Sequence, residues 1–119
     1  MSVTIDQVIP LLKRHVSVPV YNSFVPEAVS GTSVAVYNVT NSRKRTLDGT
    51  QVSKVSYWRV VLVSANPREI PEISRQLEAM DMKSDGTFQR IYTELVNSEA
   101  LEAGSLIQRT FFDLTLYER

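Results

Sequence analysis

Residues 52–69 read VSKVSYWRVVLVSANPRE, and no other stretch restricts the fold as strongly. Its Val, Tyr and Trp content with an apolar centre predicts a strand over 52–65. Asn66-Pro67-Arg68-Glu69 then starts a helix at once, with Asn as N-cap, Pro at the first helical position and Glu three residues after the cap. In that helix Ile70, Ile73, Leu77 and Met80 form one apolar stripe, while Glu72, Arg75, Gln76 and Glu78 face elsewhere. A helix joined this tightly to a strand must lay its stripe back on a sheet.

The rest of the chain supplies that sheet. Ile5, Val8, Ile9 and Leu12 mark one face of an amphipathic helix ending near His15, capped by Thr4 or Asp6 and either starting near Asp6 or bending at Pro10. Pro19, Pro26 and Gly31 break the next stretch into an irregular, partly buried connector. SVAVYNVT (33–40) reads as a strand, joined to the 52–65 strand by a long hairpin loop, NSRKRTLDGTQVSK. After the second helix, Asp85-Gly86 turns into a strand with apolar groups on both faces: Phe88, Tyr92 and Val96 against Ile91 and Leu95. The last strand is one-sided, with Leu106, Phe112, Leu114 and Leu116 on one face and Arg109, Asp113, Thr115 and Tyr117 on the other. The expected fold is α+β: a mainly antiparallel sheet of about four strands, two helices on one face, and a single domain over 1–119.

Composition narrows the function by exclusion. Thirteen basic and thirteen acidic residues cancel, so no global field draws the chain to nucleic acid or an anionic membrane. Cysteine is absent, which removes disulfides and thiolate chemistry. The longest aliphatic run, Val60 to Val63, is too short to span a bilayer. The first residues lack the pattern of a signal peptide, so a cytoplasmic protein is expected, and Asn38-Val39-Thr40 is a chance glycosylation match.

Catalytic and metal motifs are missing. His15 is the only histidine, without a Gly-x-Ser-x-Gly elbow, and reads as a cation at a helix end. The two Asp-Gly-Thr segments lack the further acidic ligands of a calcium loop and read as turns. Four glycines allow neither a P-loop nor a dinucleotide fingerprint. No enzyme and no cofactor are expected.

What remains is local. Arg43, Lys44 and Arg45, with Lys54 nearby, give the hairpin loop three consecutive cations. They either keep a sheet edge from sticking to other sheets or contact nucleic acid or an acidic partner. Tyr57, Trp58 and Phe88 either stack on bases or, with Val60, Val61 and Ile91 around them, pack in a core or subunit interface. Tyr57, Arg59, Arg109, Asp113 and Tyr117 are the candidate interface residues. Uncovered strand edges favour an oligomer.

The helix VIPLLKRH, the extended VPVYNSFVPEAVSGTSVAVYNV, the long hairpin, and YWRVVLVSA followed by NPREIPEISRQLEAM resemble the tail terminator (tail completion) proteins of long-tailed bacteriophages over nearly the full chain. The resemblance implies a non-catalytic subunit of a homohexameric ring that ends tail-tube growth and joins the tail to the head. Its implied partners are further copies of itself, the tail tube protein, the head-tail connector protein and DNA passing through the lumen. No membrane partner is implied. Its implied location is the head-proximal end of the virion tail, reached from the host cytoplasm. A head-tail connector or stopper subunit, and an RNA- or single-strand-binding module, are the alternatives.

Overall fold

The computed structural model describes residues 4–26, 31–45, 52–84, 88–100 and 107–118, with backbone alone over 42–45 and 52–53. The elements are α1 (Ile5–His15), β1 (Val20–Asn22), β2 (Ser33–Arg45), β3 (Val52–Ser64), α2 (Glu69–Glu78), β4 (Phe88–Ala100) and β5 (Gln108–Glu118). They make an α+β fold on one mixed sheet, ordered β1-β2-β3-β5-β4. Among the described strands only β1 is parallel to its neighbour, pairing Val20–Asn22 with Val34–Val36.

Two expectations are corrected. The sheet has five strands rather than about four, because three residues of the Pro-bracketed connector pair as β1. The stretch expected as a long loop is largely strand, since Arg43, Lys44 and Arg45 lie in β2, registered opposite Lys54, Ser53 and Val52. Backbone pairing does not require apolar side chains, so a polar, cationic run can extend a hairpin. The tip at 46–51, the Asp85-Gly86 turn and Leu106 lie outside the described residues.

The two helices start differently. In α1, the Thr4 N–H donates to Gln7 Oε1 at 3.0 Å, and the Thr4 carbonyl accepts from Gln7 N at 3.0 Å and Val8 N at 3.3 Å. Asp6 sits in the first turn and Lys13, Arg14 and His15 in the last, matching the helix dipole. Pro10 lies inside the helix, so the bond it would donate to the Asp6 carbonyl is missing. Before α2 a further expectation is corrected: Asn66 Oδ1 accepts from Arg68 N at 3.1 Å and so caps a leading turn, while the regular helix starts at Glu69 with Arg68, not Asn66, in the cap position. Glu69 accepts a hydrogen bond from the Thr32 hydroxyl, which itself lies 2.8 Å from Ser64 Oγ. That cluster fastens the strand-to-helix junction to the start of β2.

One core joins the elements. Val8, Leu11 and Leu12 of α1 and Ile73, Leu77 and the adjacent Met80 cluster with Val34, Val36, Trp58, Val60, Leu62, Phe112, Leu114 and Leu116. These strand residues recur at every second position, and register places Val36, Val60 and Phe112 in one row across the sheet. Ile70 packs half-buried beside the stripe expected from its spacing. Gln76 Oε1 accepts from Ser17 N at 3.0 Å and ties the end of α1 to α2.

In β4 the pattern is broken by bulges. Phe88 and Ile91 are three apart, yet both are buried, because the register shifts between Phe88 and Arg90. A second shift falls between Leu95 and Asn97. Leu95 and Val96 are 51% and 44% exposed, so the lower half of β4 is not core. Length accounts for this. Strands of 13 residues run roughly 40 Å, whereas helices of 10 or 11 residues reach roughly 16 Å and cannot cover them.

Candidate interaction surface

The sheet face turned away from the core collects charge and aromatic rings. Alternation along β5 places Arg109, Phe111, Asp113, Thr115 and Tyr117 there, all half-buried, and cross-strand register adds Tyr57, Arg59, Val61 and Val63 from β3. All five candidate interface residues thus share this face, with Tyr57, Arg59, Asp113 and Tyr117 in facing or neighbouring positions and Arg109 towards its lower end. The same alternation assigned Phe111 to it, a residue the sequence reading passed over.

Its charges are arranged in rows. Arg59 and Asp113 are directly opposed across β3 and β5, and Arg59 Nη2 and Nε donate to Asp113 Oδ1 at 2.8 and 3.1 Å. The hydrogen bond to Asp113 raises the Arg59 pKa above its usual value, against a smaller lowering by desolvation. The row continues outward to Glu94 on β4, registered opposite Asp113. Asp113 is committed to Arg59, and no salt bridge to Glu94 exists among the described residues. In a second row Arg109 Nη2 donates to Glu99 Oε1 at 2.8 Å, and the guanidinium stacks over Phe111 at 5.8 Å from the ring centroid. Tyr117 meets Tyr92 edge-on, with centroids 5.6 Å apart.

A groove of about 560 Å³ runs along this face beside the segment after β1, lined by Phe24, Pro26, Tyr37, Val61, Arg109 and Phe111. Phe24 is 70% exposed at its rim. An apolar groove on a sheet face, with one cation, suits a protein surface better than a metal or a nucleotide.

The cationic residues form a separate feature. The last described pair of β3 with β5 is Val55 with Tyr117, and beyond it Arg43–Arg45 and Val52–Lys54 continue as a two-stranded ribbon. The backbone register sets Arg43 opposite Lys54 in this ribbon. Trp58 and Phe88 are 3% and 1% exposed in the core, which leaves Tyr57 as the one member of the aromatic trio outside the interior.

Among the described residues no group of His, Cys, Asp or Glu is arranged to hold a metal ion. No described helix is long and apolar enough to cross a membrane. The chain matches no protein-family model and no curated protein sequence.

Proposed function

We propose that this protein is a virion assembly subunit of a long-tailed bacteriophage, a tail terminator that forms a ring on the end of the tail tube. In this reading the ring stops tube growth and offers the surface that the head-tail connector meets. The subunit acts by shape and contact, without catalysis or cofactor, at the head-proximal end of the tail.

The observation that supports this reading best is the cationic ribbon, a two-stranded arm reaching past β5 with Arg43, Lys44 and Arg45 at its end. One such arm on a neutral monomer binds phosphate weakly. Six around a ring would form a positive collar, because linked sites gain from a high effective concentration. The open sheet face, with its salt-bridge rows and apolar groove, supplies the protein contacts that such a subunit needs.

The experiment is to purify the protein and mix it with isolated tail tubes and, separately, with DNA-filled heads, reading attachment by sedimentation and negative-stain microscopy. Attachment to tube ends supports the terminator. Attachment to heads alone transfers the protein to the connector side of the joint, and indifference to both overturns the reading.

A further inference from the structure

We propose that the free half of the β4 edge, Leu95–Ala100, receives the free half of the β2 edge, Asn38–Arg45, of a second copy of this chain, as an antiparallel strand pair. The inference rests on the two edges themselves and not on the tail reading.

Each edge strand is already half covered from within the chain. On β4, the Ile91 carbonyl accepts from Met82 N at 2.8 Å, Ile91 N donates to the Lys83 carbonyl at 2.9 Å, and Thr93 N donates to Asp81 Oδ1 at 2.9 Å. The segment after α2 thereby closes the upper part of that edge. The amides of Ile91 and Thr93 point outward, so the two-residue pleat turns the Leu95 amide outward as well, and no described segment meets it. On β2 the reverse half is closed. Val34 N donates to the Pro19 carbonyl and the Val36 carbonyl accepts from Ser23 N, both at 2.9 Å, and beyond them no described strand lies beside β2. Unpaired strand edges of this length are templates for pairing.

The two edges match in direction, apolar content and charge. β2 and β4 run in opposite directions, so a copy placed beside the first in the same orientation presents β2 antiparallel to β4. Each edge carries exposed aliphatic groups among polar ones, Leu95 and Val96 on β4 and Val39, 56% exposed, on β2. Glu94 and Glu99, the latter already held by Arg109, mark the β4 edge, and Arg43, Lys44 and Arg45 the β2 edge. Glu94 in particular stands beside the committed Asp113 and lacks a cation of its own among the described residues.

The covered halves also set the register. Leu95 is level with Val36 through Phe112 and Val60, the β4 opening runs down from there, and the β2 opening runs up. Joining the two shifts the second copy along the strands by roughly seven residues, about 20 Å at ~3.3 Å per residue. Closed barrels contain such a stagger, with strands tilted by roughly 35–45°. The contact is heterologous, so repetition yields a ring where the tilt closes it and a filament where it does not.

The test measures association of the full chain by light scattering and sedimentation over a concentration series, with circular dichroism to check folding. Leu95→Pro removes an outward-pointing amide together with one exposed aliphatic group of this edge, and should fold yet associate at least about tenfold more weakly. A chain carrying Glu94→Lys and Glu99→Lys should lose association similarly, as should one carrying Arg43→Glu and Arg45→Glu. Combining the four changes in one chain should restore it. Concentration-independent monomers of the unaltered chain, wild-type association by the proline or single-edge variants, or no rescue in the combined chain each overturn the contact. Assembly through these edges by a protein that ignores tail tubes keeps the contact and removes the tail reading.

Discussion

Arg59 and Asp113 face one another across β3 and β5, with Arg59 Nη2 2.8 Å from Asp113 Oδ1 and side chains 32% and 46% exposed. Such a pair is partly screened by water, so its net worth is at most about 1 kcal/mol. Asp113→Asn should lower urea stability by about that much, and a double-mutant cycle with Arg59→Gln should assign most of the loss to the pair. The sign of the pH dependence follows from the raised Arg59 pKa: this stabilisation is complete at every pH below the usual guanidinium range and is lost only as pH rises through and above it. The Arg59 contribution should therefore stay constant through neutral pH in urea titrations of the wild type and Arg59→Gln.

Neighbouring phenylalanines should behave oppositely. Phe112 is 1% exposed in the core, so Phe112→Ala should cost about 3–5 kcal/mol by urea denaturation. Phe111 lies on the open face beneath the Arg109 guanidinium, and Phe111→Ala should cost under about 1.5 kcal/mol in the isolated chain.

Pro10 is exposed and interrupts the hydrogen-bond ladder of α1. Pro10→Ala restores an N–H towards the Asp6 carbonyl and should raise stability by about 1 kcal/mol or more, read as a higher thermal midpoint. An unchanged or lower midpoint would mean that the loss of chain entropy imposed by Pro10 on the unfolded state outweighs the missing bond.

Met82 holds φ at 64° and is 56% exposed, in the segment that closes the upper half of β4. Met82→Gly relieves the left-handed backbone while giving up little burial, and should stabilise by about 0.5–1 kcal/mol. Hydrogen exchange at Ile91, whose N–H donates to Lys83, should slow in step.

Replacing Arg43, Lys44 and Arg45 together by Ser tests the cationic arm. If the arm serves contact rather than folding, the thermal midpoint should stay within the small range of a surface change, about 0.5 kcal/mol in stability. Attachment to tail tubes or heads should fall, and the salt dependence of that attachment should flatten.

The residues that announced themselves in the sequence were those whose chemistry is local. The stripe of Ile70, Ile73, Leu77 and Met80 follows from a period of 3.6 residues and stands in the structure, whereas Asn66 and Pro67, expected to open the helix, form a capped turn ahead of it. The one-sidedness of β5 likewise follows from alternation, and it placed Arg109, Asp113 and Tyr117 on one face. Three features were decided only by neighbours in space. β1 is a strand because Val34–Val36 offer it a partner, and three residues between prolines carry no periodic signal of their own. Arg43–Arg45 are strand because β3 continues alongside them, whereas their composition reads as loop. The bulges that bury Phe88 with Ile91 and expose Leu95 depend on pairing with β5, which no local pattern records. Periodicity and caps determined which elements form and which faces are apolar, since those are set within a few bonds. Which edges are closed from within the chain, and which are left unpaired among the described residues, were settled by long-range pairing, whose register depends on the whole sheet.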